Sequence, residues 1–181
     1  GRNLVEMSGR EMKLLRREVG MLFQGSALFD SLTVLGNVMF PLEMFSGMTR
    51  KEMEERAKFC LARVNLMPDK YHLYPGEISG GMQKRVAIAR AIALNPRYLF
   101  CDEPNSGLDP VTSLVIDKLI EEITEEYNIT TIVNTHDMGS VRNIGEQILF
   151  IHEGGAEWKG TSADLEMIEN VHLREFLGSA Q

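Results

Sequence analysis

No apolar run in this sequence approaches the roughly 18 to 20 residues that a bilayer-spanning helix requires. The opening Gly1-Arg2-Asn3 has no signal-peptide pattern, so the chain is expected to stay in the cytosol. Cysteine is scarce. Cys60 and Cys101 each sit inside an apolar stretch, which argues against a disulfide framework or a cysteine metal site and for buried, reduced thiols. An excess of positive charge is also missing: 26 acidic against 19 basic side chains give a net charge of −7, so nucleic acid is not an expected partner. There is no internal repeat and no low-complexity segment. What remains is an ordinary globular composition, and 181 residues suffice for one real core or a domain with a subdomain.

Hydrophobic periodicity organises the rest. Residues 8–18 read as a helix, and Val19 to Phe23 as a short buried strand that carries Gln24 at its exit. Residues 26–45 hold Leu28, Phe29, Leu32, Val34, Val38, Phe40, Leu42 and Phe45, an apolar content that suggests an exposed surface for another protein to cover. Thr49 with Glu52 spells a capping box for a helix that runs to about Leu66, with Met53, Ala57, Cys60, Leu61 and Val64 on one face. A second helix starts at Ser79 and ends before Pro96, so residues 46–95 read as an α-helical insert.

Tyr98 to Cys101 is a strand that ends in Asp102-Glu103. Asp109 and Pro110 then serve as N-cap and first residue of a helix whose apolar face is Ile116, Leu119, Ile120 and Ile123; Asp117, Lys118, Glu121 and Glu122 are expected to face water. Ile129 to Asn134 is the next strand and leads to His136; residues 147–152 form another, with a hairpin turn at Gly154-Gly155 and two short closing helices over 161–169 and 171–177. Alternating strands and helices imply a mainly parallel sheet, whose ligands gather at the strand C-termini, where Gln24, Asp102, Glu103 and His136 lie.

Adjacent carboxylates at a strand exit are electrostatically costly and call for a cation: Asp102 suits Mg²⁺ held through water, and Glu103 an attacking water. Ser79-Gly80-Gly81 opens a helix with two poor helix formers. Close approach of an anion to the first-turn N–H groups and the Ser79 hydroxyl supplies a reason. Taken singly, each feature also fits a plain loop, a glycine turn or a structural histidine; the order of all of them together is what discriminates.

That order resembles the nucleotide-binding subunit of ABC transporters over essentially the whole chain. Gln24 resembles the Q-loop glutamine, Ile78 to Met82 the signature motif, Tyr98 to Glu103 the Walker B strand, Ser106-Gly107-Leu108-Asp109 the D-loop and His136 the switch histidine. The resemblance implies a P-loop NTPase-like α/β fold, with a mainly parallel sheet flanked by helices. Residues 1–181 would be one ABC ATPase domain, with 46–95 as the α-helical signature subdomain and 1–45 and 96–181 as the RecA-like core. It implies ATP and Mg²⁺ as ligands, and hydrolysis at the interface of a head-to-tail dimer with a second copy. Asp102 and Gln24 would attend the metal, Glu103 would polarise the attacking water, His136 would contact the γ-phosphate, and Gln24 would also sense the permease. Ser79, Gly80, Gly81 and Asp109 would meet the nucleotide. The segment after Gln24 would receive the permease, which places the protein peripherally on the inner face of the cytoplasmic membrane.

The sequence departs from the family in two places. The pattern Gly-x-x-x-x-Gly-Lys-Ser/Thr occurs nowhere, so the phosphate-gripping P-loop is absent. Gly1-Arg2-Asn3-Leu4 resembles the stretch that follows that loop and its helix. The reading is therefore of a cassette lacking roughly 60 N-terminal residues, which alone neither binds Mg-ATP tightly nor hydrolyses it. The second departure is methionine, rather than glutamine, after Ser79-Gly80-Gly81. That Ser-Gly-Gly-Met form, with Met21 to Gln24, Ala27 to Ser31 and Val38 to Leu42, resembles the ATPases paired with MCE-domain proteins, which move phospholipids between bacterial membranes. The alternatives are an importer of polar solutes such as amino acids, and a soluble ABC protein of DNA repair or translation.

Overall fold

In the computed structural model, which describes residues 3–167 and 169–179, polar caps fix where the helices begin. Gly1 and Arg2 of the opening stretch and Ile168 of the closing segment lie outside the described residues. The chain divides into two compact units, Gly1–Asn134 and Thr135–Gln181.

The first unit opens with α1 (Gly9–Glu18), capped by a reciprocal Ser8/Glu11 box, and passes directly into β1 (Val19–Leu22). Then come α2 (Val34–Phe45), α3 (Arg50–Arg63), α4 (Gly80–Ile92), β2 (Tyr98–Asp102), α5 (Pro110–Tyr127) and β3 (Thr130–Asn134). The three strands form one parallel sheet in the order β1-β2-β3, with Leu22 opposite Cys101 and Asp102 opposite Asn134. Their C-terminal ends are therefore level, and the residues that follow them share one edge.

Successive side chains alternate between the sheet's faces. Leu22, Leu99 and Cys101 are buried on one face, while Met21, Tyr98, Phe100 and Ile132 on the other are exposed. The Thr49/Glu52 capping box starts α3 as expected, and Ala57, Cys60, Leu61 and Val64 are buried.

The apolar stretch 26–45 differs from its sequence expectation. Thr33 caps α2, which packs on α3 and α4, and Val34, Val38 and Leu42 are wholly buried. Exposed apolar surface shrinks to Phe29 and Met44, with Phe40 half-covered against the Phe29 ring at 4.6 Å. The reason is period: residues 34, 38 and 42 stack on one helical stripe, which a core absorbs. Asp117 also departs from expectation. It is 2% exposed, drawn inward because Asn105 Nδ2 donates to its Oδ1 at 2.7 Å.

In the second unit α6 (Met138–Ile144) is capped by Asp137, and β4 (Ile148–His152) pairs with β5 (Gly155–Gly160). The hairpin expected after the strand at 147–152 is present, since that strand pairs antiparallel with β5; its expected place in the parallel series is not, because among the described residues the two form a sheet of their own. Glu153 and Gly154 both have positive φ, 49° and 77°, the backbone of a two-residue hairpin turn that returns the chain at once. A 3₁₀ turn at Ala163–Met167 and α7 (Val171–Ser179) complete it, with Met138, Leu165 and Leu173 as its core. Among the described residues no helix is long and apolar enough to cross a membrane.

Candidate functional site

Two loops leave the level strand ends, and both are bent into left-handed backbone at residues other than glycine. After β1, Ser26 and Ala27 have φ of 63° and 47°; after β2, Glu103 has φ of 45°. Such conformations cost on the order of 1 kcal/mol or more each and persist only where neighbours hold them. Here α4 supplies the neighbours. Arg90 donates to the carbonyls of Ser26 and Ala27 at 2.6 Å each. Lys84 is buried, with its ammonium donating to the carbonyls of Phe23, Gln24 and Glu103. Burial pulls the Lys84 ammonium below the usual lysine range, while Cys101, Asp102 and Glu103 push it back up.

Of the four residues expected at this edge, Gln24, Asp102 and Glu103 lie at the level ends of β1 and β2. Gln24 Nε2 donates to the Ser106 hydroxyl at 3.1 Å, joining the two loops. Asn134, at the end of β3, donates to Asp102 Oδ1 at 2.8 Å, and its carbonyl accepts the Glu103 N–H at 2.8 Å. Asp102 is exposed and Glu103 half-buried, so both carboxylates can be reached from solvent.

A second feature forms where α4 and α5 begin. Ser79, Gly80, Gly81, Met82 and Arg85 face Gly107, Leu108, Asp109 and Thr112 across a cleft of about 370 Å³. Ser79 Oγ accepts from Met82 N at 3.3 Å and keeps its own proton to donate. The N–H groups of Gly80 and Gly81 lie in the first turn, where a helix has no internal acceptor for them. The two glycines differ in a way the sequence did not reveal. A Cβ on Gly81 would stand 2.9 Å from the Thr112 methyl carbon, whereas the nearest atom to one on Gly80 is Leu108 Cδ2 at 3.9 Å. Gly81 is therefore required by the approach of α4 to α5 before any ligand is considered. Asp109 caps α5: Oδ1 accepts from the N–H groups of Val111 and Thr112, and Oδ2 from the Thr112 hydroxyl. Those bonds, Thr112's hydroxyl foremost, hold its carboxyl below the usual range.

Gln24, Asp102 and Glu103 are thus gathered at one edge, and Ser79, Gly80, Gly81 and Asp109 at the cleft. His136 stands in the second unit, exposed, one residue before the α6 cap. Sequence reasoning missed Lys84, Arg90 and Asn134. For Lys84 a signal existed: it sits four residues before Ile88 on the buried stripe of α4, an unusual place for a lysine without partners.

Residues 1–106 match the family described as ABC transporter. The chain belongs to the ABC transporter family. Among ABC relatives, the methionine import ATP-binding protein MetN of Desulfitobacterium hafniense is 44% identical over 153 residues, covering 84% of this chain and 44% of that protein. MetN of Photobacterium profundum is 41% identical over 180 residues, 99% of this chain and 52% of that protein. The chain spans about half the length of the curated relatives it matches. The dimeric ABC cassette MJ0796 superposes with a TM-score of 0.77 at 35% identity, over 88% of this chain and 69% of that one. A post-hydrolysis dimer of MJ0796 bound to ADP and Pi gives 0.76 at 35% identity, over 87% and 68%. The α/β architecture expected from the sequence, a parallel sheet flanked by helices, is the fold of these ABC cassettes.

Proposed function

We propose that this chain is part of the ATP-hydrolysing motor of a bacterial ABC transporter that imports a small polar solute of the amino-acid class. The observation that carries the motor reading is the single edge where Gln24, Asp102 and Glu103 meet, braced from α4 by Lys84. Asp102 fits a hydrated Mg²⁺: it is an exposed carboxylate with one oxygen oriented by Asn134, and this ion keeps most of its waters. Mg²⁺, when bound, offsets charge on the phosphates. Glu103 orients and deprotonates the attacking water, Gln24 links that event to the loop beyond it, and His136 attends the γ-phosphate. Ser79, Gly80 and Gly81 offer their donors to phosphates held by a second copy in a head-to-tail dimer, and Asp109 shapes the cleft by capping α5. Phosphoryl transfer depends on such positioning more than on covalent help.

The permease would dock beside Phe29, the ring left exposed where 26–45 folds down, and would place the protein on the inner face of the cytoplasmic membrane. The names of the MetN relatives favour amino-acid import over the phospholipid reading, and none of them supports an MCE-domain partner. The phospholipid reading keeps Met82 and the 21–42 motifs in its favour. The test is Glu103→Gln in the complete gene product. ATP hydrolysis should fall on the order of 100-fold or more, and uptake of labelled methionine by cells carrying the variant should fall with it. Unchanged hydrolysis overturns the motor reading. Intact uptake with lost outer-leaflet lipid asymmetry overturns the importer reading in favour of the lipid one.

A further inference from the structure

The second unit carries a constellation that ATP hydrolysis does not use. His152 ends β4, Glu157 lies on β5 and His172 is in the first turn of α7, so three separate segments converge. His172 Nδ1 is 3.0 Å from both carboxylate oxygens of Glu157, and His152 Nδ1 is 3.5 Å from Oε1. One ligand atom from each residue can be chosen so that all lie within 4.8 Å of one another. We propose that His152, Glu157 and His172 bind one transition-metal dication of the Zn²⁺ type, which fastens the β4–β5 hairpin to α7.

The arrangement is held in place before any ion arrives. Strand side chains two apart share a face, and helix side chains four apart share one. Phe150 and His152 on β4 accordingly meet Phe176 and His172 on α7 as two rungs, with ring centroids 5.8 Å and 4.3 Å apart. Leu173, 3% exposed in the unit's core, fixes the rotation of α7, and Asn170 Oδ1 accepts its N–H at 2.8 Å at the start of that helix. Asn170 also reaches Glu157 Oε2 at 3.5 Å, a partner for the carboxylate oxygen that a metal would leave.

The chemistry selects the ion. Two imidazole nitrogens and one carboxylate suit Zn²⁺, Co²⁺ or Ni²⁺ and not Mg²⁺, which takes oxygen ligands. Three protein ligands leave a fourth position to water.

The probe is Co²⁺ alone, added to the EDTA-treated complete gene product without nucleotide and followed by visible absorption, with Zn²⁺ competition. One equivalent should bind with a visible ligand-field band, Zn²⁺ should displace it, and Zn²⁺ should raise the melting temperature. His152→Ala, His172→Ala and Glu157→Gln should each weaken binding by on the order of 10-fold or more, the least that loss of even an outer-shell partner costs, with circular dichroism confirming the fold; His72→Ala should not. Absence of a band in the wild type, or unaltered affinity in the His152/His172 double variant, overturns the proposal.

Discussion

The side-chain ammonium of Lys84 is bonded to the main-chain carbonyl of Gln24, so the helix capped by Ser79 holds the loop that carries the strand-end glutamine. The same ammonium reaches the carbonyl of Glu103 at 3.4 Å. Lys84→Met removes a buried charge but takes the ammonium from the Gln24 carbonyl in a site only 3% exposed, while the carbonyls of Phe23 and Glu103 keep the N–H groups of Ser26 and Ser106. The loss of the donor outweighs the relief, at about 1 to 3 kcal/mol of destabilisation. Urea denaturation should show that shift; a neutral result would mean that the Gln24 carbonyl finds water.

Gly81→Ala and Gly80→Ala separate packing from ligand binding. At Gly81 the added methyl meets Thr112 at 2.9 Å, and overpacking of this kind costs roughly 1 to 3 kcal/mol. Gly80→Ala meets nothing nearer than 3.9 Å and should be neutral or slightly stabilising. Thr112→Ser keeps the hydroxyl on Asp109 and deletes the obstructing methyl, so it should recover most of the Gly81→Ala loss in thermal unfolding. A Gly81→Ala protein as stable as wild type would refute the packing argument.

Asn37 is fully buried in α2 and clamps the loop before it: Oδ1 accepts from Phe29 N at 2.8 Å, and Nδ2 donates to the carbonyls of Phe29, Leu32 and Thr33. Asn37→Ala should destabilise the protein by about 1 to 3 kcal/mol, since the Phe29 N–H and the Leu32 carbonyl lose their partner. The Phe29 amide should exchange with deuterium much faster, and if Phe29 is where the permease docks, co-purification should weaken as well. Unchanged exchange at Phe29 would show that the loop is held by other contacts.

The two thiols report on alkaline stability. Burial pushes Cys60 up to about 11 and Cys101 up to about 12, from 9.0. The folded protein keeps these protons while the unfolded chain releases them above pH 9.0, so their contribution is complete below that pH and is lost as pH rises through about 11 to 12. Lys84 acts in the opposite sense, because its lowered value means that the unfolded chain binds the extra proton. Denaturation midpoints should therefore fall less steeply above pH 9.0 in a Cys60→Ala/Cys101→Ala variant than in wild type. Both thiols should also resist Ellman's reagent at about pH 8 until the protein unfolds; rapid reaction of the native protein would contradict their burial.

Local chemistry in the sequence decided where elements begin and what each strand end carries. Thr49 with Glu52, Ser79, Asp109 and Asp137 are caps whose hydrogen bonds reach only two or three residues along the chain, and short apolar runs mark β1 and β2 without reference to anything distant. Gln24, Asp102 and Glu103 could be placed at strand C-termini for the same reason. Tertiary structure decided which polar and apolar groups are inside, because that depends on partners far along the chain. Asp117 is buried because Asn105 meets it, Val34, Val38 and Leu42 because α3 and α4 cover α2, and Gly81 must be glycine because Thr112 of another helix lies against it. Lys84, 60 residues from Gln24, and the meeting of His152, Glu157 and His172 across three segments belong to that second class. Hydrogen bonds and packing contacts act within a few ångströms of space, and only the folded chain makes those residues neighbours.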